Sequence, residues 1–411
     1  MLTYVLNQNG KPLMPCKSSK ARRLLKQSKA KVVKLEPFTL QLLHGSSGYK
    51  QEITLGVDAG SKMIGLSATT ENNELYSADI QLRNDVVDLL STRRQNRRTR
   101  RNRLRYRKPR FLNRVKSKNK GWLAPSIENK IQTHLTVVRN VYKVLPVSKV
   151  IVEVASFDIQ KIKNPSISGT DYQQGEQIDF WNIREYVLFR DGHQCHGKKG
   201  CNNKILNVHH IESRKVGGDS PSNLITLCEE CHKDYHKGKL ELNINRGQKF
   251  KDATFMGIMR WSFYNRLKEL YPIVSLTYGY ITKNTRISNS LPKEHRIDAL
   301  CISGNLMVKR LDYFYFSKKV RCHNRQIHKA NILKGDVKKL NQAQFEVKGF
   351  RLFDKIQYQG KLYYIFGRRN SGFFDIRTLD GTKVNKGSIS CRSFKLIERR
   401  KSLLTERRVA G

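Results

Sequence analysis

The chain has 411 residues, enough for two or three domains, and its 79 Lys and Arg residues outnumber 34 Asp and Glu residues to give a formal net charge of +45. Charge on this scale repels itself in a compact state, so we expect a polyanionic partner, and nucleic acid is the first candidate. The sequence has no apolar run of membrane-spanning length, and its first ten residues lack the apolar core of a secretory signal, which argues against a membrane partner and against export.

The N-terminal part of the chain is basic and leads into a predicted strand. The string Pro12 to Pro15 is followed by a helical pattern from Ser18 to Ala30, and Gly45 to Gly48 is typical of a linker. From Glu52 to Asp58 apolar and other residues alternate, which predicts a strand with one buried face, and Gly60 indicates a tight turn after it.

An arginine-rich stretch follows. Residues 89–127 contain 15 Lys or Arg and no acidic residue, and they predict a single helix up to Pro109. A solvated basic tail is the alternative, but the apolar anchors Leu104, Tyr106, Phe111 and Trp122 favour a helix laid along a phosphate backbone, which guanidinium groups bind bidentately. The arginines expected to bind nucleic acid are Arg93, Arg94, Arg97, Arg98, Arg100, Arg101, Arg103, Arg105, Arg107 and Arg110.

Three carboxylates and a histidine form the first constellation that predicts chemistry. Asp58 ends one predicted strand, Glu153 lies near the end of another over 149–154, and His295 and Asp298 share one face of a helix predicted over 294–306. Carboxylates brought together repel one another unless cations neutralise them, and two Mg²⁺ ions would also stabilise phosphodiester hydrolysis. We also expect a helix over 255–271, a strand over 273–280 and a loop to Pro292.

Four cysteines and several histidines form the second constellation. Cys195, Cys201, Cys228 and Cys231 predict a structural Zn²⁺ site that holds together a module with little core of its own. A helical pattern precedes the module, over 181–190. A flexible connector is predicted before that helix, over 164–175.

The histidines of this module predict a second metal site. The spacing predicts a hairpin carrying His209 and His210, a loop held by Asn223, and a helix carrying His232 and His236. His209 and His232, with His236 as a further candidate, would hold one catalytic divalent ion. His210 would be the general base that activates water, a role suited to a pKa near neutrality.

Taken in order, these residues resemble IscB, the transposon-associated family of RNA-guided nucleases related to the two-nuclease CRISPR effectors. Pro12 to Pro15 are similar to the family's N-terminal PLMP domain, the arginine-rich stretch to its bridge helix, and Phe350 to Lys395 to its C-terminal domain. Asp58, Glu153, His295 and Asp298 match the RuvC segments, and His209, His210, Asn223 and His232 match the HNH motif. One departure is the five residues between Cys195 and Cys201, where two are usual.

The resemblance implies an α/β fold: an RNase H-like (RuvC) domain split in three, an inserted ββα-metal HNH domain, an Arg-rich bridge helix and a small β-rich C-terminal domain, which the pattern over 345–397 predicts to be independent. It implies PLMP-like residues 1–50, RuvC segments 51–90, 121–165 and 250–320, a bridge helix at 91–120, an HNH domain at 176–245 and a target-flanking-motif domain at 340–411. It also implies two Mg²⁺ in RuvC, one in HNH and a structural Zn²⁺.

The implied activity is RNA-guided cleavage of duplex DNA, in which HNH cuts the guide-paired strand, RuvC cuts the displaced strand, and protein reads only a short flanking motif. The implied partners are a guide (omega) RNA and target DNA, bound by a monomer in a prokaryotic cytoplasm. A guide-independent HNH homing or mobile-element endonuclease would leave Asp58, Glu153 and Asp298 unused. An RNA chaperone without activity would not need these residues intact.

Overall fold

The computed structural model describes residues 2–46, 48–104, 123–154, 183–198, 200–212, 221–242, 251–322, 344–384 and 387–410. The strands are β1 (Leu2–Leu6), β2 (Pro12–Lys17), β3 (Ala30–Lys34), β4 (Thr39–Leu42), β5 (Thr54–Ala59), β6 (Met63–Thr69), β7 (Glu74–Gln81), β8 (Lys149–Glu153), β9 (Leu206–His210), β10 (Leu224–Cys228), β11 (Val274–Thr277), β12 (Tyr313–Lys319), β13 (Lys355–Tyr358), β14 (Lys361–Arg368), β15 (Phe373–Arg377), β16 (Ile389–Ser390), β17 (Lys395–Glu398) and β18 (Leu403–Val409). The helices are α1 (Ser18–Lys26), α2 (Val86–Leu104), α3 (Pro125–Tyr142), α4 (Ile183–Arg190), α5 (Glu229–His236), α6 (Lys251–Leu270), α7 (Gly279–Ser288) and α8 (His295–Ser303).

The chain divides into two compact units, which agrees with a mixed α/β protein of several domains. One unit comprises Met1–Val154 and Met259–Gly411, and the other comprises Ala155–Ile258. In the described part of the chain, no helix is both long and apolar enough to cross a membrane.

A seven-stranded mixed sheet is the centre of the first unit, in the order β11-β8-β5-β6-β7-β12-β18. Strands β5, β6 and β7 are antiparallel neighbours, whereas β8 runs parallel to β5 and β11 runs parallel to β8. Both faces of β5 are covered, since Leu55, Val57 and Ala59 are fully buried and Gly56 on the other face contacts α8. The sheet therefore forms a rigid base for the side chains at the strand ends.

A four-stranded sheet, in the order β2-β1-β4-β3, precedes the large sheet. The Pro12 to Pro15 string lies in β2. The helix predicted to reach Ala30 ends at Lys26, because Ser28 adopts a left-handed backbone with φ 55° and Ala30 begins β3.

The C-terminal part differs from the independent β domain that its sequence pattern predicts. Strands β13 to β17 do form a five-stranded sheet with its own apolar core around Ile356, Ile365 and Phe374. However, β18 returns to the large sheet and pairs with β12 over its whole length, from Tyr313 with Val409 onward. This pairing joins the C-terminal segment to the first unit.

The second unit is small. Its described helices and strands are α4, the antiparallel hairpin β9–β10, α5, which starts immediately after β10, and the first residues of α6. Its apolar core is built around Tyr186, Val187 and Leu224, with Ile183 and Val208 packed against it. Such a core is too small to account for a stable module by itself.

Candidate functional site

Four side chains meet at one edge of the seven-stranded sheet, and we call them the acidic centre: Asp58, Glu153, His295 and Asp298. Val57 pairs with Val152 in the parallel strands β5 and β8, so Asp58 and Glu153 follow in register at the same edge. The helix α8 begins at His295 and carries Asp298 in its first turn. Asp58 and Glu153 are 5% and 8% exposed, so a ligand must enter this edge to reach them.

Two glycines allow α8 to lie directly on the strands, and the sequence analysis missed them. A Cβ atom on Gly56 would lie 2.0 Å from the Ala299 carbonyl oxygen, and one on Gly65 would lie 1.9 Å from the His295 carbonyl oxygen. Any larger residue would displace the helix and with it the side chain of His295. The predicted helix to residue 306 ends at Ser303, because Gly304 takes a left-handed φ of 82°.

His295 is bound to Asp58. Its Nδ1 lies 2.6 Å from Oδ2 of Asp58, and this hydrogen bond is the largest of the effects that raise the pKa of His295 above its usual value. The pair therefore favours the protonated form of the His295 imidazole.

Two arginines that the sequence analysis missed also belong to the acidic centre. Arg260 of α6 is buried, its Nη1 lies 3.1 Å from Oε1 of Glu153, and its Nε donates to the Ala59 carbonyl at 2.8 Å. Arg286 of α7 pairs with Asp298, with 2.9 Å between Nε and Oδ1. Both Glu153 and Asp298 have a raised pKa, chiefly because burial disfavours their charged forms.

The sequence could have identified Arg260 as a buried charge, because this residue falls on the apolar face of α6 beside Met256, Met259 and Phe263. A cation on an apolar face needs a buried partner. No comparable signal identifies Arg286. It lies in α7, within the stretch where a strand to Tyr280 and then a loop are predicted, whereas β11 ends at Thr277 and a helix follows.

Oxygen donors such as these fit Mg²⁺ chemically. Their spacing is looser than that of a formed ion cage, since the described residues contain only two groups whose ligand atoms all lie within 4.8 Å, and the acidic centre is not among them. Arg260 instead stands against both carboxylates, with its Nη2 4.0 Å from Oδ1 of Asp58. The sharing of two ions by these carboxylates stays a prediction.

The thiol cluster is one of those two groups, and it consists of Cys195, Cys201, Cys228 and Cys231. The sulfurs of Cys201 and Cys228 are 3.6 Å apart, and the backbone amide of Cys228 donates to the sulfur of Cys195 at 3.1 Å. The five residues between Cys195 and Cys201 therefore do not keep the sulfurs apart. Burial and the neighbouring thiols raise the pKa of Cys231 to about 12, so a bound cation is needed to hold it as a thiolate; four thiolates suit Zn²⁺.

Gly197 and His196 lie next to the thiol cluster in the chain, and the first leaves room for it while the second does not contribute a ligand. A Cβ on Gly197 would lie 2.6 Å from Cβ of Cys231 and 2.7 Å from its sulfur, so only glycine fits at this position. His196 turns away, since its Nε2 lies 3.1 Å from the Asp191 carbonyl oxygen and its amide donates to Thr226. Gly197, which the sequence analysis missed, has no signal beyond its position between two cysteines.

The histidine cluster is the second group, and it consists of His209, His232 and His236. His209 projects from β9, and the other two lie one turn apart on α5, with 3.3 Å between their Nε2 atoms. Burial first, and then the neighbouring imidazoles, lower the pKa of His209 to about 4, so it is neutral near pH 7. Its Nε2 is buried and has no hydrogen-bond partner among the described residues, which fits a metal ligand.

The other two predicted residues of this module lie at the base of the hairpin. His210 ends β9 and pairs in register with Leu224, so it is the direct chain neighbour of a cluster member. Asn223 accepts from the Glu212 amide at 2.8 Å and donates to the Glu212 carbonyl at 3.0 Å. These two hydrogen bonds tie Asn223 to the residue that lies two positions after β9, and its catalytic role stays a prediction.

The arginine-rich helix is longer at its start than predicted, because α2 begins at Val86. It reaches Leu104 and includes Arg100, Arg101 and Arg103, while Arg105, Arg107 and Arg110 lie outside the described residues. The four arginines with described side chains, Arg93, Arg94, Arg97 and Arg98, are all exposed. Their contact with nucleic acid stays a prediction. The predicted anchors Tyr106, Phe111 and Trp122, and the connector over 164–175, also fall outside the described residues.

Two family models match the chain. Residues 3–175 match the RRXRR protein family, and residues 97–101 read Arg-Arg-Thr-Arg-Arg. Residues 193–238, which contain the thiol and histidine clusters, match the HNH endonuclease family.

Other similarities cover only part of the chain and part of the matched protein. A stretch of 45 residues is 42% identical to anaredoxin of Nostoc sp. (strain PCC 7120 / SAG 25.82 / UTEX 2576), and it covers 11% of this chain and 59% of that protein. The chain is similar to the crystal structure of Streptococcus thermophilus Cas9 in complex with the AGAA PAM, with 13% identity and a TM-score of 0.29 over 44% of this chain and 26% of that one. It is also similar to the structure of the same protein in complex with the GGAA PAM, with 14% identity and a TM-score of 0.30 over 52% of this chain and 30% of that one. The chain thus spans less than a third of those structures, and the likeness is slight. The HNH match, together with the hairpin, helix and clusters, supports a nuclease with an HNH endonuclease domain.

Proposed function

We propose that this protein is an RNA-guided, metal-dependent endonuclease that cuts both strands of duplex DNA, one at the histidine cluster and the other at the acidic centre. One observation carries the proposal more than any other: within the region that matches the HNH family, three imidazoles converge beside a four-thiol cluster. Each part has a separate chemical task.

At the histidine cluster, His209, His232 and His236 would hold one divalent ion, which supplies a Lewis acid for the scissile phosphate. His210, next to the cluster on β9, acts as the general base that takes the proton from the attacking water. Asn223 ties Glu212, just after β9, to the start of β10. The four thiolates hold a structural Zn²⁺, which fixes the start of α5 against the hairpin.

The first unit supports a RuvC-like, that is RNase H-like, assignment. Three antiparallel strands are followed by two parallel ones in the order β11-β8-β5-β6-β7, with carboxylates at the ends of β5 and β8. Asp58, Glu153 and Asp298 would hold two Mg²⁺ ions, which stabilise charge on the phosphodiester. His295 positions Asp58 through their 2.6 Å hydrogen bond. Binding of the ions requires Arg260 to give up its place beside Glu153.

Two tyrosines at this edge support a single-stranded substrate. Tyr278 and Tyr280 are 37% and 60% exposed, and their rings stack with centroids 6.0 Å apart. Gly279 lies between them in the chain, and its Cβ position is 3.2 Å from Oε1 of Glu153. Exposed aromatic faces bind unpaired bases by stacking, so the displaced strand would be held beside the acidic centre.

Charge and the exposed face of α2 support the nucleic-acid partners. The formal charge of +45 is too large to be balanced within the chain, and α2 presents four exposed arginines in two adjacent pairs. In this proposal the C-terminal segment, residues 340–411, meets the motif that flanks the target. The protein acts as a monomer within a ribonucleoprotein in a prokaryotic cytoplasm.

A guide-independent HNH endonuclease is the second candidate function. It is favoured by the local extent of the HNH match, which covers residues 193–238. A guide-independent HNH endonuclease would have no functional role for the buried acidic centre and its two arginines.

The RNA requirement separates the two candidates. The protein is purified with its co-expressed RNA, the RNA is sequenced, and plasmids with matched and mismatched targets are cut before and after RNase treatment. We expect a discrete RNA and cutting of the matched plasmid alone, abolished by RNase. Sequence-specific cutting by the RNA-free protein would establish the second candidate.

A further inference from the structure

The last residue of α4 and the residue that follows it form an ion pair within the second unit. Arg190 donates from Nε and Nη2 to the two carboxylate oxygens of Asp191, at 2.9 and 3.0 Å. The Asp191 side chain has no exposed surface, and that of Arg190 is 23% exposed. A two-pronged pair of this kind fixes the orientation of the guanidinium plane as well as its distance from the carboxylate. Arg190 is therefore a rigid donor to other groups around it.

Arg190 uses its other N–H groups to hold the segment that leads into β10. Its Nη1 donates to the Pro221 carbonyl oxygen at 2.6 Å, and its Nη2 also donates to the Leu224 carbonyl oxygen at 2.9 Å. These carbonyls stand on either side of Asn223, one in a short 3₁₀ turn and the other in the first residue of β10. Because a guanidinium carries five N–H donors in one plane, a single side chain reaches both carbonyls and its carboxylate partner.

Asp191 extends the same network along β10. Its Oδ2 accepts from the backbone amide of Thr226, a fully buried residue, at 2.9 Å. The module has only a small apolar core, so these polar contacts make up a large part of what holds α4 against the hairpin. Loss of either charge would leave the other one unpaired in a mostly buried place, which is costly.

The segment held by Arg190 contains or adjoins two residues of the proposed histidine centre. The Ile211 amide donates to the Asn223 carbonyl oxygen at 2.8 Å, and the Asn223 side chain is tied to Glu212. Leu224, whose carbonyl Arg190 binds, pairs in register with His210. The contacts of Arg190 therefore fix the end of the hairpin that carries both His210 and Asn223.

The thiol cluster lies at the opposite end of the same hairpin. Cys228 is the last residue of β10 and pairs in register with Leu206, the first residue of β9. A metal bound to the thiols would hold this end. The orientation of the other end depends on contacts such as those of Arg190.

We propose that Arg190 is a positioning residue for cutting at the histidine cluster: paired with Asp191, it orients Asn223 and His210 towards the phosphodiester without touching the substrate. This inference rests on the nuclease activity proposed above for the cluster. A catalytic group that is misplaced by about 1 Å can slow a reaction by about a hundredfold. Loss of Arg190 should therefore slow the cutting step and leave binding of the target unchanged.

Cutting by the full chain with its RNA, in an Asp58→Ala background, tests the inference, because we then expect cutting by the histidine cluster alone. The single-turnover rate constant and the protein concentration that gives half of it are measured for R190Q. We expect the rate constant to fall about a hundredfold and the half-saturating concentration to change by less than about threefold. R184Q is the matched control and should change neither value by more than about threefold. Arg184 is exposed on the same helix, with its Nη2 3.5 Å from the Leu206 carbonyl oxygen at the other end of the hairpin.

R190K separates positioning from charge alone. Lysine keeps the positive charge and could still bind a substrate phosphate, but it lacks the planar fork that reaches Asp191, Pro221 and Leu224 together. We expect R190K to cut at least about tenfold more slowly than the Asp58→Ala parent. If R190Q does not retain zinc, R190K and its control R184K carry the test, since both keep the charge on α4.

Hydrogen exchange measured by mass spectrometry gives a readout that does not depend on cutting. In R190Q, the peptide that covers residues 209–212 should exchange faster, while the peptide that covers residues 228–236 and the zinc content stay unchanged. If the Asp58→Ala parent cuts neither strand, the proposed nuclease activity fails, and this measurement alone decides whether Arg190 holds the segment. The inference is overturned if R190K cuts at the parent rate, if R190Q and R184Q behave alike, if R190Q changes only the half-saturating concentration, or if exchange over residues 209–212 is unaltered.

Discussion

The acidic centre and the histidine cluster are held in place by different means. Asp58 and Glu153 stand at the ends of strands in a seven-stranded sheet, and α8 is pressed onto that sheet through Gly56 and Gly65. His209, in contrast, stands on a two-stranded hairpin whose own apolar core is built around three buried residues. The side chains of the acidic centre are therefore positioned by the buried sheet and the helix packed on it, whereas the histidine cluster is positioned by four thiols gathered at the start of α5.

The difference predicts how each site fails. A site built on a large core should tolerate loss of its metal and should be sensitive to any added volume between helix and sheet. A site built on a small module should unfold when its structural metal is removed, because binding energy there is folding energy. The following predictions test this contrast, from the largest effect to the smallest.

Removal of zinc should have the largest effect. Binding of a structural zinc is worth about 10 kcal/mol or more, so chelation or Cys228→Ser should unfold the hairpin β9–β10 and leave β5–β6 folded. Hydrogen exchange measured by mass spectrometry reports both regions in one experiment. Cys322→Ser, a thiol outside the cluster, is the control and should retain one zinc per chain. Equal loss of protection in β5–β6 would contradict a separately held module.

Gly65→Ala should damage the acidic centre. The new Cβ would lie 1.9 Å from the His295 carbonyl oxygen, so α8 must move, at a cost of roughly 3 kcal/mol or more in the free energy of unfolding. Nicking by the acidic centre should be lost while zinc content stays normal. Gly45→Ala meets no atom within 4 Å and should change stability by less than about 0.5 kcal/mol. A fully active Gly65→Ala would show that the helix is not fixed by this contact.

His134 should make the first unit sensitive to acid. It is fully buried in α3, and burial is the main reason that its pKa falls to about 4. The unfolded chain therefore takes up this proton first, so stability is complete above about pH 6.5 and falls by about 3 kcal/mol towards pH 4. His134→Leu should abolish that part of the pH dependence in urea unfolding, whereas the exposed His44→Leu should not. Identical pH profiles for the His134→Leu variant and the unmodified protein would refute the assignment.

Tyr280→Ala should have the smallest effect and act on one strand alone. Loss of one stacking contact costs about 1–2 kcal/mol, which corresponds to roughly tenfold slower cutting by the acidic centre at subsaturating DNA. Cutting at the histidine cluster should be unchanged. Tyr49→Ala, at a site 84% exposed, is the matched control. Equal slowing at both sites would place Tyr280 outside the strand path.

Local patterns predicted much of the fold and most of the candidate site residues. The strand before Asp58 follows from alternation, and the helix that carries His232 and His236 follows from their spacing. The close approach of four thiols was predicted from the proximity of two cysteine pairs in the sequence, although the spacing of the first pair is unusual. Each of these signals is contained within a few neighbouring residues.

Contacts between distant segments could not be predicted in the same way. Arg260 reaches Ala59 across 201 positions, and β18 pairs with β12 at nearly ninety positions' distance. The need for glycine at position 65 depends on a helix that starts at His295. A single sequence does not encode such pairings in any local period, because they depend on how elements pack.

The measurement that tests the central claim most directly is strand-resolved nicking of a target plasmid by three variants. Asp58→Ala should cut only the guide-paired strand, His210→Ala only the displaced strand, and the double variant should bind without cutting. His193→Asn, an exposed histidine of the same module in a left-handed conformation that asparagine tolerates, should cut both. The claim that the protein has two nuclease centres, each held in place independently, is contradicted by either of two results. One is that a single variant still makes complete double-strand breaks, and the other is that a single variant no longer cuts either strand.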